Sequence, residues 1–135
     1  MWSHYADAYR GVCFMFEQFT GPYGDFMGLQ VRYQEDRPAI DLSKPFDLDS
    51  LTNALLTKSK QWSYEEEFRM VETERGQGYR TFPNRALKGI IFGSRVSKDD
   101  RVFVEGLLAV RPGSVDQYDV VIDKQSFGIR IVKKS

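Results

Sequence analysis

One cysteine, one histidine and five prolines are spread over 135 residues. A lone cysteine, Cys13, excludes an internal disulfide framework. A lone histidine, His4, excludes a histidine-rich metal site. Cys13 lies nine residues further on and no ligand spacing repeats, so no zinc site is expected. No apolar run approaches the roughly 18 residues that a membrane-spanning helix needs. No basic segment followed by an apolar one opens the chain, so no secretory leader is expected. A phosphate-binding loop is also missing. Gly21-Pro22-Tyr23-Gly24 and Gly76-Gln77-Gly78 are glycine pairs without the Lys-Ser/Thr that would follow. Internal repeats and low-complexity tracts are absent. A soluble, cytosolic protein without a membrane contact is the expectation.

What is present suits one folded domain over residues 1–135. Hydrophobic residues are 41% and charged residues 28%, close to the globular average. Ten phenylalanines point to an aromatic-heavy core. Net charge is zero, but it is unevenly distributed. Residues 1–57 hold four basic and eight acidic side chains; residues 58–135 hold fifteen and eleven. From Arg75 to Lys98 there are six basic residues and no acid. That stretch interleaves Tyr79, Phe82 and Phe92 with Arg80, Arg85 and Lys88. Such a mixture can track a nucleic-acid backbone or cradle a dinucleotide, and it can equally be a solvated face.

Local patterns place the elements. Trp2, Tyr5, Ala6 and Tyr9 recur at helical spacing, predicting a short helix that Gly11 ends. Val12 to Phe16 reads as a buried strand, and Leu29 to Tyr33 as a half-buried one. Asp47 is placed to cap a helix carrying Leu48, Leu51 and Leu55. Tyr79 to Phe82 could form a short strand, broken at Pro83; Leu87 to Phe92 is a further strand. Ser97-Lys98-Asp99-Asp100 resembles a capping box before a helix with Phe103, Leu107 and Val110 on one stripe. Tyr118–Ile122 and Phe127–Ile131 form a hairpin with Tyr118, Val120, Ile122, Phe127, Ile129 and Ile131 on one face. These elements mix without regular alternation. The predicted class is α+β, a mostly antiparallel sheet of about five to six strands with two to three helices packed on it.

Residues 62–71 carry the chemistry. Read as a strand, they put Trp62, Tyr64, Phe68 and Met70 on one face, against a core, and Glu65, Glu67 and Arg69 on the other. The two carboxylates would stand about 7 Å apart. Their mutual repulsion would raise one carboxyl's pKa, while Arg69 would lower its neighbour's. Such a row can do acid–base work or bind a sugar hydroxyl. The plainer reading is an exposed, self-neutralising strand face. His4 can act as a general base or hold a ligand hydroxyl, or simply cap the core edge. Trp2 and Tyr5 suit core anchors. Cys13, inside an apolar run, is expected to be inert because burial raises a thiol's pKa.

Three segments in this order resemble a bacterial and phage family of unknown function, numbered 2971. They are Met1-Trp2-Ser3-His4-Tyr5-Ala6-Asp7 with Gly11-Val12-Cys13, then Lys58 through Arg69, then Leu87-Lys88-Gly89-Ile90-Ile91-Phe92-Gly93 with its capped helix. The likeness spans essentially the whole chain. It implies that the chain corresponds to the C-terminal half of the family, some of whose members neighbour defence genes. The family pattern is in turn reminiscent of ADP-ribosyltransferase-like folds. Those set an aromatic and histidine cradle for nicotinamide adenine dinucleotide (NAD) on early strands and a glutamate on a later one. The resemblance thus makes NAD a candidate cofactor, with none fixed. Together with the patterns above, it makes Glu67, Glu65 and His4 the candidate catalytic residues and Tyr5, Trp2, Arg69 and Trp62 candidate ligand-binding ones; Arg80 joins the latter from the basic stretch. The leading expectation is a nucleotide-handling domain, a transferase if it is an enzyme. A protein-interaction module with a protein partner or a second copy is the alternative, and a nucleic-acid binder is the third reading.

Overall fold

The computed structural model describes residues 2, 4–21, 27–41, 43, 45, 47–71, 76–79, 81–126 and 128–134. In chain order its elements are β1 (Val12–Phe16), β2 (Leu29–Gln30), β3 (Arg32–Gln34), α1 (Leu48–Leu55), β4 (Thr57–Ser59), β5 (Phe68–Arg69), β6 (Leu87–Phe92), α2 (Lys98–Ala109), β7 (Asp116–Ile122) and β8 (Ile129–Lys133). Short 3-10 turns cover Lys60–Glu65 and Asn84–Ala86. The expected α+β class is what forms. Its strands are shorter and divide among three sheets, and the chain divides into two compact units, residues 1–17 with 81–135 and residues 18–80.

The first unit is organised by β6. Its run Leu87-Lys88-Gly89-Ile90-Ile91-Phe92 is buried at every position but Lys88. That burial fits its place inside a four-stranded sheet of order β1-β6-β7-β8. β1 and β8 pair antiparallel to their neighbours, whereas β6 and β7 run parallel. A parallel pair needs a crossover, and α2 supplies it. The β7–β8 register sets Val120 opposite Ile131 and Ile122 opposite Ile129, so the hairpin face predicted from the sequence forms. Phe127 lies outside the described residues.

α2 starts as predicted. The Ser97 hydroxyl accepts from the Asp100 amide at 3.0 Å and donates to the Asp100 carboxylate at 2.6 Å. The helix turns Arg101, Val104, Glu105 and Leu108 to its half-buried side, at the i, i+3, i+4, i+7 spacing of one face. The Arg101 guanidinium lies 4.2 Å from the Phe92 ring centroid and pairs with Asp119. Val102, Phe103, Leu107 and Val110 are therefore left exposed.

The predicted N-terminal helix does not form. Residues 4–10 make a chain of turns in which Asp7, Ala8 and Tyr9 all take left-handed backbone angles. Left-handed geometry costs about 1 kcal/mol or more per non-glycine residue, so something must select it. Trp2 and Ala6 are buried against Ile91 and Val120, and Tyr9 stacks on Trp2 at 6.1 Å. The turn also docks by backbone: Gly93 donates to the Gly11 carbonyl at 3.1 Å and Arg95 to the Tyr9 carbonyl at 3.0 Å. A Cβ on Gly93 would collide with the Tyr9 carbonyl, which explains glycine there. Helical spacing thus identified two buried residues, Trp2 and Ala6, while the backbone follows a different path.

In the second unit β2 pairs antiparallel with β5, and β3 parallel with β4. Here α1 is the crossover. Asp47 caps it as expected, accepting from the Asp49 and Ser50 amides at 3.1 and 3.0 Å. The long strand predicted over 62–71 is corrected: residues 60–65 wind into the 3-10 turn, Glu66 is left-handed, and only Phe68–Arg69 pairs. Tyr79 is fully exposed, and no strand forms among the described residues of 79–82.

Candidate functional site

The alternation predicted for residues 62–70 survives the loss of the strand, but with its faces reversed. Trp62, Tyr64, Phe68 and Met70 are exposed, whereas Glu65, Glu67 and Arg69 turn inward. The reason is a lysine that lies outside the predicted strand. The Lys58 ammonium on β4 holds both carboxylates, Glu65 directly and Glu67 at 3.0 Å. Left-handed Glu66 lets the chain double back so that the residues on either side of it reach one lysine. The Glu65 side chain is only 6% exposed.

Arg69 completes the cluster. Its guanidinium takes Glu67 in a fork, Nε to Oε1 at 2.5 Å and Nη2 to Oε2 at 3.2 Å. Its Nη1 donates to the Leu55 carbonyl at 2.5 Å, satisfying an orphan acceptor at the end of α1. The Glu67 amide donates to the Tyr33 hydroxyl at 2.7 Å, and its carbonyl accepts from Val31 at 2.9 Å. Four charges of balanced sign thus tie α1, β4 and β5 together, and the Tyr33 hydroxyl adds β3. The Arg69 hydrogen bond, aided by Lys58, holds the Glu67 carboxyl below the usual range. Glu67 is an ionised acceptor at neutral pH and is poorly suited to donating a proton.

Lys58 also faces outward. Its ammonium lies 5.0 Å from the Trp62 ring centroid, a cation–π contact. Lys58 and Trp62 line a cavity of about 500 Å³ together with Gln34, Arg37, Thr57 and Ser59. The cavity joins an aromatic face, two cations and several hydrogen-bonding groups. Glu35 and Asp36 are on its rim, and Glu35 pairs with Lys60 at 3.4 Å. In the sequence Lys58 stands seven and nine residues before the two glutamates. A strand reading hides that relation because it carries no information about what the inward face meets.

The remaining candidates fall elsewhere. Trp2 is a core anchor in the first unit, 6% exposed. Tyr5, expected to anchor the core, is 66% exposed, and His4 is exposed as well. His4 and Tyr5 belong to the first unit, and Glu65, Glu67, Arg69 and Trp62 to the second. Arg80 lies outside the described residues. Cys13 is half-buried, and burial pushes its thiol pKa up.

A family model described as a protein of unknown function, DUF2971, matches residues 1–70. The chain belongs to this family. The DUF2971 match falls on the N-terminal half of the chain, not the C-terminal one. It takes in the Trp2–Cys13 segment and the whole Lys58–Arg69 cluster. The Leu87–Gly93 motif lies beyond it, so the likeness expected over essentially the whole chain is cut back to residues 1–70. No curated protein and no solved structure matches the chain. Among the described residues, no helix is long and apolar enough to cross a membrane.

Proposed function

We propose that this DUF2971 chain is a nucleotide-handling domain that holds a dinucleotide such as NAD in the cavity between Trp62 and Arg37. The observation that carries the reading is the junction at Lys58, one side chain shared by the cavity and the ion cluster. Trp62 offers a face for a base. Arg37 and Lys58 offer charge to a diphosphate, and Ser59, Gln34 and the rim carboxylates offer partners to ribose hydroxyls. In ADP-ribosyl transfer the glycosidic bond to nicotinamide breaks with its electron pair leaving on the ring nitrogen. The anomeric carbon then bonds to an acceptor that must lose a proton. Ionised Glu67 is suited to the developing positive charge or to a ribose hydroxyl. Glu65 could take the acceptor's proton only after releasing Lys58.

Calorimetric titration of the full chain with NAD tests the reading. Trp62→Ala should weaken binding by about tenfold or more, the loss of one stacked base. Arg37→Ala should weaken it by a similar factor, and Glu67→Gln should lose transfer while retaining binding. Absence of binding to the wild type, or equal binding by wild type, Trp62→Ala and Arg37→Ala, would refute it.

A further inference from the structure

The first unit holds an arrangement that the nucleotide site does not use. β1 is an edge strand, and its Phe14 and Phe16 rings lie 6.5 Å apart at 42°. Phe16 meets Phe82 edge-on at 4.9 Å. All three rings reach solvent, with exposures of 53, 36 and 38%. The next residue, Glu17, pairs with Lys88 at 2.7 Å, on surfaces about half exposed. Lys88 in turn lines a cavity of about 550 Å³ with Asn84, Arg85, Gly113, Ser114 and Asp116. Arg111 donates to the Asn84 carbonyl beside it, and Lys133 pairs with Asp116 at 2.8 Å. Four cations therefore stand against two carboxylates around this cavity.

We infer that the aromatic run Phe14–Phe16–Phe82 and the adjoining Arg85/Lys88 cavity form a binding face for single-stranded nucleic acid. Exposed rings stack any base, and the cation excess meets the phosphates. The six-cation stretch of the sequence is not itself this face. Phe92 is fully buried under Arg101, Tyr79 belongs to the other unit, and Arg75 and Arg80 lie outside the described residues. Phe14 and Phe16, from a distant part of the chain, take the place of those aromatics. Glu17 competes with phosphate for Lys88, and the Lys88 hydrogen bond already holds its carboxyl below the usual range. Binding must displace that pair.

Fluorescence anisotropy of the full chain with labelled oligothymidylate, oligouridylate and a mixed-sequence duplex, at rising salt, tests the inference. Single strands should bind more tightly than duplex, with affinity falling as salt rises. Tighter binding of the uridylate assigns RNA, and the reverse assigns DNA; either supports the face. Phe14→Ala should weaken binding about five- to tenfold. Arg85→Ala with Lys88→Ala should flatten the log–log salt slope by about 0.7 for each phosphate that is no longer neutralised. Glu17→Gln should tighten binding several-fold, a gain that misfolding could not mimic. No single-strand binding by the wild type at low salt would overturn the inference. So would binding that all of these variants leave unchanged, or duplex bound as tightly as single strand and indifferent to Phe14→Ala.

Discussion

In the unit of residues 1–17 and 81–135, Trp2, Ala6, Ala86, Leu87, Ile90, Ile91, Phe92 and Val120 are buried. In the unit of residues 18–80 only Val31 and Leu56 are, among the described residues. Both units use the same device, two parallel strands joined through a helix: β6–α2–β7 in one and β3–α1–β4 in the other. The strands of the first run to seven residues; those of the second hold two or three. Where the first unit fills its interior with hydrocarbon, the second sets the half-buried charges of Lys58, Glu65, Glu67 and Arg69. An apolar interior gains stability in proportion to buried area. An ionic one repays its desolvation only if every charge finds a partner in good geometry. The family match covers residues 1–17 of the first unit and residues 18–70 of the second.

The apolar interior of the first unit is deepest at Phe92. Phe92 is completely buried, and Phe92→Ala should cost about 3–5 kcal/mol, a transfer term plus a cavity term. Urea unfolding should show a loss that changes little between low and high salt. A loss below about 1 kcal/mol would mean that β6 is not the hydrophobic centre.

Phe92 also shows what the sequence made legible. Its strand, the Asp47 and Ser97 caps and the β7–β8 hairpin all follow from signals a few residues long, and all form. The N-terminal turn does not follow from such signals. Its left-handed Asp7, Ala8 and Tyr9 are selected by the burial of Trp2 and by the close approach of Gly93, more than eighty residues away. The inward face of residues 62–70 departs from the alternation pattern's expectation for a related reason. Alternation separates Trp62, Tyr64, Phe68 and Met70 from Glu65, Glu67 and Arg69 but does not say which set points inward. Lys58 and the Leu55 carbonyl decide that, and their roles are visible only in three dimensions.

A second test addresses the ionic interior. Lys58→Ala leaves Glu65 at 6% exposure without the ammonium that holds it. The expected cost is about 2–4 kcal/mol, the range for a broken buried pair reduced because Glu67 is partly exposed. Hydrogen exchange should localise the loss to α1, β4 and β5. If Lys58→Met combined with Glu65→Leu restores or exceeds wild-type stability while abolishing nucleotide binding, the cluster is kept for its chemistry rather than for stability. If the pair of changes is as damaging as Lys58→Ala alone, the charges are structural.

The smallest expected effect comes from acid. Glu67 has its pKa lowered in the folded state by Arg69, with Lys58 adding to it. A carboxyl depressed by folding contributes stability that is fully present above its unfolded pKa of about 4.3 and is lost as pH falls through the folded value. Glu67→Gln should therefore cost about 1–2 kcal/mol at neutral pH, the worth of hydrogen bonds to a charged group. That difference should shrink progressively as pH falls below about 4.3. Asp116 is likewise depressed, by Lys133, but its side chain is about half exposed, so Asp116→Asn should leave the acid limb of the stability curve in place. Urea midpoints of the three proteins across the acid range decide the point. A constant gap between wild type and Glu67→Gln at every pH would show that shape, not charge, holds Glu67 to Arg69. The ionic interior of the second unit would then differ from the apolar one in composition but not in how it is stabilised.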